Sequence, residues 1–122
     1  MLKANLLHKF KLFDEFWTPK IIGELNDQYI KLAKLKGEFI WHEHQEEDEL
    51  FYIVKGTLLL RFRDRDDIQL NEGDMYVVPA GVEHLPIAEE ECWVMLVEPK
   101  TTLHTGTTKT DRSVAVEEQN WI

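Results

Sequence analysis

The sequence predicts an all-β fold, a barrel or sandwich preceded by a short N-terminal helix. After Pro19 the chain breaks into short apolar runs, rarely longer than nine residues. Turn-forming residues recur between those runs, which is the pattern of antiparallel strands closed into a barrel or sandwich. The length of 122 residues gives one domain with a hydrophobic core large enough to need no disulfide staples.

The elements follow in order. Residues 5–13 read as a helix within an N-terminal segment 1–16, because Leu6, Phe10 and Phe13 fall at helical spacing with Leu7 and Leu12 flanking that face. Pro19 and Gly23 mark the change to extended structure. Strands are expected at 20–25 and 28–36 around the turn signal Asn26-Asp27. Further strands are expected at 38–44, 49–55, 57–63, 67–70, 74–79, 82–88 and 91–98. Gly56, the acidic run 64–67, Asn71-Glu72-Gly73, Pro79-Ala80-Gly81 and Glu89-Glu90-Glu91 separate them. No internal repeat is visible. Residues 99–122 are threonine-rich and end in Trp121-Ile122, which suits a tail packed on the barrel or on a second subunit. The whole of 1–122 is read as one domain.

The net charge of −9 speaks against nucleic acid, which calls for a basic stripe. Arg61, Arg63 and Arg65 come nearest to one, and Asp64, Asp66 and Asp67 interrupt them. An acidic surface also disfavours anionic membranes, and no apolar run approaches the about 20 residues needed to cross a bilayer. The N-terminal apolar cluster is broken by Lys3, His8, Lys9, Lys11, Asp14 and Glu15, unlike a signal peptide. Cys92 is the single cysteine and has no intramolecular partner, which fits a reducing compartment. The expectation is a cytoplasmic protein without nucleic-acid or membrane partners.

The most informative cluster is His42-Glu43-His44, followed by Glu49 and, far downstream, His84. Two histidines at i and i+2 of a strand point the same way. Imidazoles with one carboxylate suit a divalent transition metal. Glu43 should face away from the histidines. Glu46, Glu47 and Asp48 read as an exposed turn and compete with Glu49 on spacing alone, although a carboxylate opening an apolar strand calls for a partner. Ligand parity marks Ile40, Phe51, Ile53, Val82 and Pro86 as pocket-lining. Phe39 and Trp41 are expected to face away from the metal, under the N-terminal helix or a second subunit; a homodimer is favoured. Lys34 and Lys36 read as solvated strand ends, Arg61 and Arg63 as surface residues, Cys92 as core, and His8 and His104 as surface.

The frame around the cluster resembles the two motifs of the cupin superfamily. Gly37-Glu-Phe-Ile-Trp-His42-Glu-His44, then Glu49 and Gly56, matches the first, and Gly73-x5-Pro79-x-Gly81-x2-His84 matches the second. Sixteen residues separate Gly56 from Gly73, as in small single-domain cupins. The resemblance covers about residues 37–98. Gly37 stands one residue nearer His42 than usual, and Ala88 replaces a frequent asparagine, which blurs the subfamily. The resemblance implies a cupin-type jelly-roll β-barrel with His42, His44, Glu49 and His84 holding Fe, Mn, Ni, Zn or Cu. It further implies a metalloenzyme acting on a small oxygenated substrate by dioxygenase or sugar-isomerase chemistry, similar to the metal domain of mannose-6-phosphate isomerase-like cupins. A non-catalytic module that binds or senses a small ligand is the alternative. No catalytic residue beyond the ligands is assigned.

Overall fold

The computed structural model of the chain describes residues 3–102, 106 and 119–122. Asn5 caps helix α1 (Leu6–Phe10) by accepting from the His8 N–H at 3.0 Å. The helix is shorter than the expected 5–13 because so short a segment depends on packing rather than propensity. Phe10 is its one buried residue. Phe13 is buried beyond its end, while Leu7 and Leu12 stay exposed.

β1 (Lys20–Leu25) and β2 (Gln28–Glu38) form a hairpin closed by Asn26 and Asp27, with Leu25 opposite Gln28 and Asn26 at φ 54°. β3 (Glu49–Lys55), β4 (Leu58–Phe62), β5 (Ile68–Leu70) and β6 (Met75–Val78) follow, all near the expected spans. The two last expected strands are one strand, β7 (His84–Pro99). Glu89–Glu91 is therefore not a turn. It is a bulge: Leu35 pairs with Cys92 and Gly37 with Ala88, so three exposed acidic residues stand opposite Lys36 alone. Gly56 nests against this bulge, where a Cβ would lie 2.8 Å from the Glu91 carbonyl.

β7 organises the antiparallel sheet. Its first half pairs with β4 and the end of β2, and its second half lies between β2 and β3. The sheet wraps into a jelly-roll β-barrel whose interior is filled by residues such as Ile53, Leu58, Leu60, Cys92 and Val94. A second apolar cluster lies on the outer face, where Phe10, Phe13 and Leu32 pack with Trp93 and Met95.

The expected strand 38–44 does not form. After Glu38 the only pairing is the bridge between His42 and His84, whose backbones exchange two hydrogen bonds at 3.0 and 2.9 Å. Glu38 pairs with Ile87 and His42 with His84, so residues 38–42 take one step more than their partner. That extra residue reverses the alternation, and Phe39 comes to the same side as His42 instead of facing away. The bulge after Leu35 likewise upsets the parity expected of Lys34. Its ammonium is buried on the outer face, donates to the Phe13 carbonyl at 2.7 Å and lies over the rings of Phe13 and Trp93; it is not a solvated strand end.

The described parts of the tail pack on the barrel. Thr102 and Gln119 are buried, Trp121 bridges to Ile21, and the Ile122 carbonyl accepts from Lys9 Nζ. His104 lies outside the described residues. No helix among the described residues is long and apolar enough to cross a membrane.

Candidate metal centre

Three structural units bring the candidate ligands together. The irregular stretch 39–44 carries His42 and His44, β3 opens on Glu49, and β7 opens on His84. The backbone pairing of His42 with His84 fixes their side chains next to each other, with ring centroids 4.3 Å apart. The Gly81 N–H donates to the His44 carbonyl at 2.7 Å, which ties the turn before β7 to the same stretch. One donor atom from each of His42, His44, Glu49 and His84 lies within 4.8 Å of the others, and all four residues are buried.

The hydrogen bonds fix which atoms face inward. His42 Nδ1 meets the Ile40 carbonyl and His84 Nδ1 meets the Val82 carbonyl, each at 2.9 Å. An Nδ1–H held by a carbonyl sets the neutral tautomer that offers Nε2 as a lone-pair donor. His84 Nε2 and His44 Nε2 then lie 3.6 and 3.4 Å from Glu49 Oε1, and among the described residues none of these three buried atoms has a hydrogen-bond partner. Buried polar atoms without partners are costly. A cation among them would satisfy all three, so the donor set fits a divalent transition metal.

Burial, reinforced by His84, pushes the His42 imidazole down to about 3, which keeps it neutral. Burial would also lower His44, but the neighbouring Glu49 carboxylate outweighs it and raises that group. Burial would raise Glu49, and contacts with His44 and His84 hold it well below the usual carboxylate range.

His42 and Glu49 stand at the polar end of a cavity whose other walls are apolar. Trp17 and Phe39 stack at 4.6 Å on one side, with Leu35, Phe51 and Pro86 among the remaining walls. Of the pocket residues expected from parity, Phe51 and Pro86 line it. Ile40 is half-buried outside it, and Ile53 and Val82 are packed in the core instead. Ile53 lies deeper along β3, and the missing strand at 38–44 removes the parity argument for Ile40. Val82 precedes β7, where no alternation operates. Glu46 and Asp48 are exposed, and Asp48 accepts from the Ala80 N–H at 2.8 Å. Arg63 is exposed, pairs with Glu83 at 2.8 Å and lies 4.0 Å over the Trp41 ring. Cys92 is buried in the core and burial pushes its thiol up to about 12.

Sequence reasoning missed Trp17 and Phe39 as cavity walls, and it missed Lys31 and Glu98. The latter are fully buried, 2.9 Å apart, beside Glu49. Burial and the Glu49 charge push Glu98 well above the usual carboxylate range, although Lys31 opposes this. The available signal was the one Glu49 gave: a charged residue on the inward parity of an apolar strand.

A family model described as "Cupin domain" matches residues 29–98. Among solved structures, a cupin-2 domain containing protein from Shewanella frigidimarina is 51% identical, with a TM-score of 0.76, over 79% of this chain and 93% of that one. Among curated proteins, 3-hydroxyanthranilate 3,4-dioxygenase 2 of Aspergillus fumigatus is 31% identical over 62% of this chain and 42% of its own length. Acireductone dioxygenase of Tuber melanosporum is 32% identical over 55% of this chain and 38% of its own length. The chain thus spans less than half the length of these two dioxygenases.

Proposed function

This chain belongs to the cupin domain family, and from that premise we propose that it is a metal-dependent dioxygenase-type enzyme for a small, oxygen-bearing, largely apolar substrate. One observation carries the reading: a buried three-histidine, one-glutamate cluster, two of whose members, His42 and Glu49, form the polar end of an apolar, aromatic cavity. His42, His44, Glu49 and His84 would hold the ion, one of Fe, Mn, Ni, Cu or Zn. Bound there, such an ion supplies Lewis acidity toward substrate oxygens and, if redox-active, a site for O₂.

The chain's own residues do the rest. The Ile40 and Val82 carbonyls keep His42 and His84 in the tautomer that presents Nε2. Glu49 supplies negative charge. Trp17, Phe39 and Phe51 exclude water and offer flat apolar surface to a planar substrate. Among the described residues no lysine or arginine lines the cavity, which weighs against a phosphosugar and so against the mannose-6-phosphate isomerase-like variant. The names of the two dioxygenase relatives supply trial substrates, 3-hydroxyanthranilate and an acireductone.

A binding or sensing module is the second reading, favoured by one observation: the cavity's titratable residues, His42 and Glu49, are both in the ligand set, which leaves no separate general base. We further place the protein in the cytoplasm as a homodimer, with exposed Met75 and Val77 on strand β6 as part of the apolar surface a second copy would cover.

The test is oxygen uptake by protein loaded anaerobically with Fe(II) and offered small hydroxylated ring acids, enediols and sugar phosphates. Substrate-dependent uptake with loss of a ring acid or enediol is expected. Tight retention of such a ligand without turnover would move the case to the binding module, and isomerised sugar phosphate would sink both.

A further inference from the structure

An ion pair lies behind Glu49. Lys31 and Glu98 are both 0% exposed, and Lys31 Nζ lies 2.9 Å from Glu98 Oε1. Strand register places them. Leu50 pairs with Val97, so Glu49 stands opposite Glu98 across β3 and β7, and Lys31, opposite Leu96, is diagonal to Glu98 across β2 and β7. Neighbouring inward positions on the same strands are Ala33, Leu35, Val94 and Leu96. Burying two charges costs several kcal/mol before any attraction is counted, and apolar residues of similar volume often do as well or better. The barrel therefore carries this pair for something other than stability.

Resting on the metal centre proposed above, we infer that Glu98, anchored by Lys31, is a positioning residue for Glu49. Glu49 Oε1 faces both His44 and His84, while the buried Glu98 stands directly opposite Glu49 in the strand register. A carboxylate opening a strand can rotate; a second carboxyl group held by a buried ammonium restricts that rotation and keeps Oε1 toward the imidazoles. Groups that orient ligands in this way contribute measurably to metal affinity.

The experiment titrates Co(II) into metal-free wild type, Lys31→Met/Glu98→Leu and Glu98→Gln, reading affinity by calorimetry and ligand-field geometry from the visible spectrum. Removing both charges together should leave the urea midpoint at or above that of wild type. It should also weaken Co(II) binding by about 10- to 100-fold and shift the visible bands. Glu98→Gln keeps the shape and one oxygen that accepts from Lys31, so its loss should be smaller, about 3- to 10-fold. Wild-type affinity and spectrum in the double variant overturn the inference and make the pair merely structural. Should the double variant not fold, unchanged affinity and spectrum in Glu98→Gln overturn it equally, and a loss of at least about 3-fold supports it. Wild type that takes up no Co(II) overturns the metal centre itself, and this inference with it.

Discussion

The two ends of the barrel interior are built from the same strands and serve opposite ends. Along β3 the inward residues run Glu49, Phe51, Ile53; along β7 they run Glu98, Leu96, Val94, Cys92. At the Ile53 and Cys92 end every inward side chain is apolar and close-packed. At the Glu49 and Glu98 end, two carboxylates, one ammonium and three imidazoles are as deeply buried, and several of their polar atoms have no hydrogen-bond partner among the described residues. Burial is equal, so the difference is one of chemistry. The first end gains free energy by leaving water. The second loses it, which is the signature of residues kept for binding.

The largest effect is expected at the apolar end. Leu60 is fully buried, so Leu60→Ala should lower unfolding free energy by about 2–5 kcal/mol. Urea denaturation checks this, and metal bound per folded molecule should not change. A loss of metal stoichiometry alongside stability would show that the two ends are not separable.

A smaller effect for each unit of pH is expected at the charged end. His42 is held at about 3 in the folded protein against an ordinary histidine value of 6.5. Its folded pKa is depressed, so the unfolded state binds the extra proton; the stability of the neutral burial is complete above about 6.5 and is lost as pH falls toward 3. In metal-free protein, wild type minus His42→Gln isolates His42 together with its coupling to His44, Glu49 and His84. That difference should fall with a slope of up to about 1.4 kcal/mol per pH unit between these limits. A flat difference would mean that His42 is solvated.

The smallest effect belongs to the outer surface. Arg63 is exposed, and its partner Glu83 is half-buried. Arg63→Ala should change stability by no more than about 0.5–1 kcal/mol and leave metal binding alone, as thermal melting and elemental analysis would register.

What could be read from sequence follows the same division. The Asn26-Asp27 hairpin was legible because turn chemistry is local. The four candidate ligands stood out by spacing and by the resemblance their glycine and proline frame carries. Phe39 was assigned to the wrong side because one extra residue before His42 is invisible in an alternating pattern. Glu89-Glu90-Glu91 looked like a turn because exposed bulges and turns favour the same polar residues. Trp17 left no signal, since it reaches the cavity from an irregular segment at φ 57°. Lys31 and Glu98 carry the signal of inward parity alone, a weak one because charged residues in a strand ordinarily point to water, and the strand register makes their burial plain.

The central claim is that His42, His44, Glu49 and His84 hold one metal ion. The most direct test is elemental analysis of purified wild type beside His84→Ala, with far-ultraviolet circular dichroism to verify the fold. The account predicts about one divalent transition metal per chain in wild type and, by loss of a ligand, little or none in the folded variant. Equal metal content in the two proteins would contradict it.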